Sequence, residues 1–237
     1  MEVDDYMKAY KGFNKDMTCR GFQYEEGKSY HEDKAELCEK GFHCCEYPLD
    51  CFAYYYPARS VYHEAEIDGL DDSRNNGDSK VCGTDIRIGR RLDVAGLIKA
   101  SFDYIKNRCT NNESGGGYSA LVGGNCSALV GGNCSALTGG YQSALTGGGC
   151  SALTGGDRSA LTGGGHSALM GGEAAIMRGG PRSKFKGSLW AVFACEIRGN
   201  DNDLIGMATA VVDGENIKPD VWYECVDGEF AEVKEDE

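Results

Sequence analysis

No stretch of this 237-residue chain approaches the roughly 18 consecutive apolar residues that a membrane helix requires. The opening segment MEVDDYMKAYKGF likewise lacks the apolar core of a secretory signal. Lysine plus arginine (24) fall well short of aspartate plus glutamate (37), leaving a net charge of −13. So acidic a surface repels phosphate backbones, which argues against direct nucleic-acid binding. The aromatic residues sit among Glu and Asp rather than among cations, which also removes a single-strand stacking groove. The expectation is a soluble, cytoplasmic chain that engages neither membrane nor nucleic acid.

Cysteine, in contrast, is plentiful: twelve residues at irregular spacings. A chain of this length can bury a core without staples, and without a secretory signal the thiols are expected free in a reducing compartment. The acid is uneven. Residues 1–114 carry 22 acidic and 16 basic side chains, residues 115–179 two of each, and residues 180–237 13 and 6.

The neutral middle is a repeat. Eight consecutive octads fill residues 115–178, each opening with Gly-Gly, and the first seven place Ser-Ala-Leu at fixed positions. So short a period signals a solenoid. Glycine pairs at this spacing would ruin a helix and suit tight turns with positive φ. In a strand of the form x-S-A-L-T, Ser and Leu share one face. With Leu inward, two octads complete one coil, giving four coils stacked at about 4.8 Å in a rod about 20 Å long. Like-parity octads then stack. Tyr118, Cys134, Cys150 and His166 climb one face, Cys126, Gln142, Arg158 and Ala174 the other, and Cys134 neighbours Cys150.

The unit G-G-Y-x-S-A-L-T resembles the octapeptide A-G-Y-G-S-T-L-T of bacterial ice-nucleation proteins, which also form a two-octad β-solenoid. The resemblance implies the fold. It does not imply ice activity, because Ala replaces the first Thr of that family's Thr-x-Thr row and Thr stands at the second only in Thr138, Thr146, Thr154 and Thr162. A calcium β-roll needs an Asp in every repeat, and only Asp157 is present. No cofactor is expected.

The variable pair of each octad is either drift or a display surface. As a display it nominates Tyr118, Cys134, Cys150, His166, Tyr141, Gln142, Asp157 and Arg158 as binding residues for a host protein or a small ligand.

The flanks read as a mixed α+β head over residues 1–110, the solenoid over 111–186, and a β-rich cap with an acidic tail over 187–237. In the head, strands are expected around residues 17–24 and 60–67, a helix opening at Pro48, and a better helix over residues 91–109 whose apolar residues recur at three and four. That helix suits a cap on the solenoid end. Downstream, residues 179–186 form a degraded ninth octad, and Asp213-Gly214 and Asp227-Gly228 suggest hairpins. The motifs CRGFQYEEGKSY (19–30), CEKGFHCCEYPLDCFAYY (38–55) and VDGENIKPDVWYECVDGEF (212–230) resemble a family of uncharacterised bacterial and phage proteins, which implies a phage or prophage origin.

Candidate chemistry concentrates at Cys38, His43, Cys44, Cys45 and Cys51. The spacing C-x5-H-C-C-x5-C lacks the paired knuckles of a zinc site, and adjacent cysteines in a strand point opposite ways, so buried thiols are the simpler reading. A Cys-His nucleophile is not implied by adjacency. YKGF followed by GFH and PLDCFAYY resembles ADP-ribosyltransferases, with Lys11 where that family places its first His. The leading expectation is a non-catalytic binding or interaction protein, phage or prophage encoded, that inhibits or sequesters a host component such as a defence factor, with homo-oligomers possible. The alternatives are an enzyme with its site in residues 1–110 and a structural spacer.

Overall fold

The computed structural model describes residues 6–71, 78–109, 111–226 and 228–233. The chain divides into two compact units, Met1–Ser101 and Phe102–Glu237, where three domains were expected. Residues 187–237 belong with the solenoid because they extend its core. The apolar column that starts with Leu129, Leu137 and Leu145 continues through Phe185 and Phe193 to Val212 and Tyr223.

The first unit is mostly β with few helices, so the α+β expectation holds only in part. Its strands are β1 (Met7–Asn14), β2 (Thr18–Cys19), β3 (Phe22–Gln23), β4 (Ser29–His31), β5 (Phe42–Cys45), β6 (Ser60–Leu70) and β7 (Lys80–Leu92). Five of them form a sheet in the order β4-β7-β5-β1-β6, with β7 also pairing β6, while β2 and β3 make a separate small hairpin. Pro48–Ala53 is a 3-10 turn rather than a longer helix. The expected helix is present as α1 (Val94–Arg108). It runs across the boundary between the units.

In the second unit, one sheet contains β8 (Asn111–Ser114), β10 (Ser127–Val130), β12 (Ala144–Thr146), β14 (Ala160–Thr162), β16 (Ile176–Gly179), β18 (Val192–Arg198) and β19 (Leu204–Val211). The other contains β9 (Ala120–Val122), β11 (Ala136–Thr138), β13 (Ala152–Thr154), β15 (Ala168–Gly171), β17 (Lys184–Gly187), β20 (Tyr223–Val226) and β21 (Glu229–Glu232). Consecutive octads alternate between the sheets, and pairing is parallel with a 16-residue offset, as in Ala136↔Ala152 and Leu137↔Leu153. The solenoid makes about five turns rather than four. It gains length because Asn111–Ser114 pairs below the first octads, and because Phe185 and Phe193 replace Leu in the degraded octads at the far end.

Ser and Leu do point inward. Leu129 through Leu169 are buried, as are Ser127 through Ser183. Each serine hydroxyl donates back to a turn carbonyl, as Ser127 Oγ to Gly124 O at 2.9 Å and Ser135 Oγ to Gly132 O at 2.7 Å. From Ser151 onward that carbonyl belongs to the coil before, as Ser151 Oγ to Gly132 O at 3.4 Å, and the hydroxyl accepts the N–H of the serine one coil back, Ser135 N to Ser151 Oγ at 3.3 Å. From Ser151 to Ser183 the buried hydroxyls thus repeat the same kinds of partner coil by coil.

The turn reverses one expectation. The octad glycines do not supply the positive φ; the second variable residue does, from Tyr118 to Ala174 at 51° to 59°. The glycines are there for space. A Cβ on Gly123 would lie 2.4 Å from Ser127 Oγ, and one on Gly132 would lie 2.7 Å from the backbone nitrogen of Gly117 in the coil below. The first glycine is cleared for the serine of its own octad and the second for the backbone of the neighbouring coil.

Strands β20 and β21 pair antiparallel as a hairpin, and Asp227 of the expected Asp-Gly turn lies outside the described residues. Asp213-Gly214 does not make a hairpin. It lies on the crossing from β19 in one sheet to β20 in the other. Asp213 Oδ1 accepts the N–H groups of Glu215, Asn216 and Ile217 there. Although burial opposes ionisation, these bonds and one from the Asn216 side chain hold its carboxyl at about 2.

Candidate functional site

The nominated solenoid residues fall into different environments. Like-parity stacking holds: Cys134 N–H donates to Gly149 O at 2.8 Å and Cys150 N–H to Gly165 O at 2.9 Å. Tyr118, Cys134, Cys150 and His166 form an exposed row. The opposite row is more covered: Gln142 is buried, Arg158 half-buried and Ala174 buried. Cys109 Sγ approaches Ser127 O and Gln142 O on that side. Arg158 bonds the Tyr141 hydroxyl at 2.6 Å.

Asp157 has a structural duty. Its Oδ1 accepts the Glu173 N–H at 2.9 Å, just as Asn133 Oδ1 accepts that of Gly149 and Asn125 Oδ1 that of Tyr141. Where the first variable residue is Asn or Asp, it braces the next coil. That variation is neither drift nor display.

The first unit holds a pocket of about 490 Å³, within the range of small-molecule sites. It opens where β1 and β5 meet the loop carrying Tyr54 and Tyr55. Strand β1 is unusual, because Ala9 through Phe13 are all buried although neighbours face opposite sides of the sheet. Gly12 makes this possible: a Cβ there would lie 2.7 Å from the Tyr55 ring.

Between aromatic neighbours in this strand sits Lys11, only 4% exposed. Its Nζ donates to His43 O at 2.7 Å and lies 5.5 Å from the ring centroids of both Phe13 and Tyr24. Lys80 lies over the Tyr54 ring at 4.6 Å, and the Tyr54 hydroxyl donates to Asp78. Arg20, Lys40, Glu32 and Glu39 complete the charged lining, with Lys40 and Glu32 3.7 Å apart.

His43, two cysteines and three tyrosines of the pocket are held in unreactive forms. The backbone N–H of Cys38 donates to His43 Nε2 at 2.9 Å, so Nε2 is the acceptor and Nδ1–H faces Gly41 O at 3.1 Å. Burial, with Lys11, Arg20 and Lys80 nearby, lowers His43 to about 4. Burial pushes the Cys44 thiol up to about 12. The bonded Cys51 thiol and burial raise Cys45 as well. Burial also raises Tyr24, Tyr54 and Tyr55, helped by Asp78 at Tyr54 and by Cys19 at Tyr55.

Among the described residues, no three His, Cys, Asp or Glu side chains are grouped to hold a metal ion, and no helix is long and apolar enough to cross a membrane. Lys11, Arg20, Tyr24 and Lys80 were not among the nominated binding residues. The available signal was a lysine inside an otherwise apolar run, AYKGF.

Residues 7–100 match the model of a domain of unknown function, DUF7666. Two of the three sequence motifs, residues 19–30 and 38–55, lie inside that match, as does the pocket; residues 212–230 and the octads lie beyond it. Comparison with curated proteins and with solved structures yields no match.

Proposed function

We propose that this chain is a non-catalytic binding protein whose first unit captures a small ligand, with the solenoid presenting its exposed row to a partner. The observation that carries this reading is the state of the pocket. It is roomy and lined with aromatic and cationic groups, yet its imidazole has both nitrogens engaged and Cys44, Cys45, Tyr24, Tyr54 and Tyr55 are held protonated. General acid–base or nucleophilic chemistry needs a group poised near neutral pH with a free lone pair. These groups are not so poised, which supports capture of an unchanged ligand.

A phage- or prophage-encoded protein that sequesters a host component in the cytoplasm fits this reading, and the family-like motifs around the pocket support that origin. The enzyme alternative, an ADP-ribosyltransferase-like reaction in residues 1–110, has in its favour the position of Lys11 and Tyr55 in one pocket.

The test is to incubate the full chain with bacterial lysate, re-isolate it, denature it and identify what it releases by mass spectrometry. Capture predicts one retained small molecule, chemically unaltered and lost from a Gly12→Leu variant that fills the pocket. A released product that is chemically changed, and that disappears with His43→Ala, would replace capture with catalysis.

A further inference from the structure

Lys11 is a buried cation of the first unit whose charge is not explained by its partners. An ammonium taken out of water is costly unless an anion compensates it. The groups around this one are the His43 carbonyl and the rings of Phe13 and Tyr24, all neutral. Among the described residues no carboxylate pairs with it. The Lys11 ammonium carries three donors and gives one to His43 O, and the side chain lines the pocket.

The surrounding charge has the same sign. The lining holds four cations, Lys11, Arg20, Lys40 and Lys80, against two carboxylates, Glu32 and Glu39. This surplus of two positive charges sits within a chain whose net charge is −13. The cations close enough to hold His43 neutral are Lys11, Arg20 and Lys80. A dianion would neutralise the surplus, and a guanidinium fork suits a phosphate better than a single carboxylate.

The rest of the wall is aromatic. Phe22, on the small β2–β3 hairpin, is 49% exposed at the rim, and its ring packs edge-on against Tyr24 and Tyr30. Tyr54 and Tyr55 also line it. Exposed rings beside cations form a platform for a planar group.

We infer that the captured ligand is a phosphate monoester of a planar aromatic compound, a nucleoside monophosphate by chemical class, with its phosphate at Lys11 and Arg20 and its ring against the pocket tyrosines and Phe22. The inference rests on the capture reading and narrows it to one ligand class.

The experiment is calorimetric titration and thermal melting of the full chain with three probes: adenosine 5′-monophosphate, adenosine and inorganic phosphate. The wild type should bind the monophosphate at least about tenfold more tightly than adenosine. Lys11→Met, close in volume and uncharged, should lose at least about tenfold in affinity for the monophosphate. Without ligand it should melt higher than the wild type, since the uncompensated charge is gone. If circular dichroism shows Lys11→Met unfolded, Arg20→Gln at the exposed rim takes its place with the same expected loss.

Equal binding of adenosine and its monophosphate, or undiminished binding by the folded variant, overturns the phosphate site and leaves capture standing, because the pocket is still occupied. Silence of the wild type toward all three probes overturns the ligand class. Capture itself then answers to the lysate experiment, whose readout does not depend on these probes.

Discussion

The two units bury polar groups in opposite ways. In the solenoid the inward serines from Ser151 to Ser183 find the same kinds of partner coil after coil, a turn carbonyl and a serine N–H, both from the coil before. In the first unit each buried polar group is matched singly, and some incompletely. Asp50 accepts the Ser79 N–H at 2.7 Å, Lys11 meets only neutral groups, and His63 Nε2 is the one buried side-chain nitrogen or oxygen without a hydrogen-bond partner among the described residues. Repetition satisfies backbone and side chain alike, leaving little capacity for an incoming molecule except on the outside. The uncompensated burial of Lys11 is what the proposed ligand would complete.

The sharpest way to break this comparison is at a glycine of the solenoid. Gly132→Ala places a Cβ against the Gly117 and Gly116 backbone, which cannot move without separating two coils. A loss of about 2–4 kcal/mol is expected, in line with overpacking of a rigid core. Both tryptophans, Trp190 and Trp222, belong to the second unit, so their emission reports its unfolding by denaturant. A loss under about 1 kcal/mol would mean that the coils yield more easily than their spacing implies.

A smaller effect is expected at the turn. Cys134 has φ 57°, a conformation that costs a side-chain-bearing residue about 1–2 kcal/mol. Cys134→Gly should therefore range from neutral to about 1 kcal/mol stabilising, once glycine's own entropy is set against the relief. Cys134→Val, branched at Cβ, should destabilise by about 1 kcal/mol. Equal midpoints for both variants would show that the left-handed turn is not a constraint.

The gentlest probe is pH. His43 is held near 4, below the ordinary 6.5, so the folded first unit takes up a proton less readily than the unfolded chain. Its contribution is complete above about 6.5 and is lost as pH falls toward 4. Asp213 is held near 2, below its ordinary 3.8, so its contribution to the second unit survives until pH falls below about 4. Between pH 7 and 5 the denaturation midpoint seen by near-ultraviolet tyrosine dichroism should drop while the tryptophan midpoint stays in place. Parallel decline of both signals would remove the distinction between the units.

The octads are where local sequence reaches furthest into the structure. Period eight, the inward Ser and Leu, and the stacking of Cys134 beside Cys150 all follow from alternation along a strand and from translation of one unit. The number of turns was less legible, since Phe185, Phe193 and Asn111–Ser114 extend the stack with residues outside the repeat. The left-handed turn residue was misassigned to glycine, because composition cannot separate a glycine chosen for φ from one chosen for clearance.

The pocket was not legible in this way. Its walls come from residues 10–80, and the sheet order β4-β7-β5-β1-β6 brings together strands far apart in the chain. Sequence alone determined that a two-octad coil would form and which side chains would fill it, since a strict repeat makes every local environment the same. Only the tertiary structure decided that Lys11 is buried among neutral partners and that His43 has no free nitrogen. Those facts depend on which strands pair, and pairing across many residues is set by the whole core rather than by any one segment.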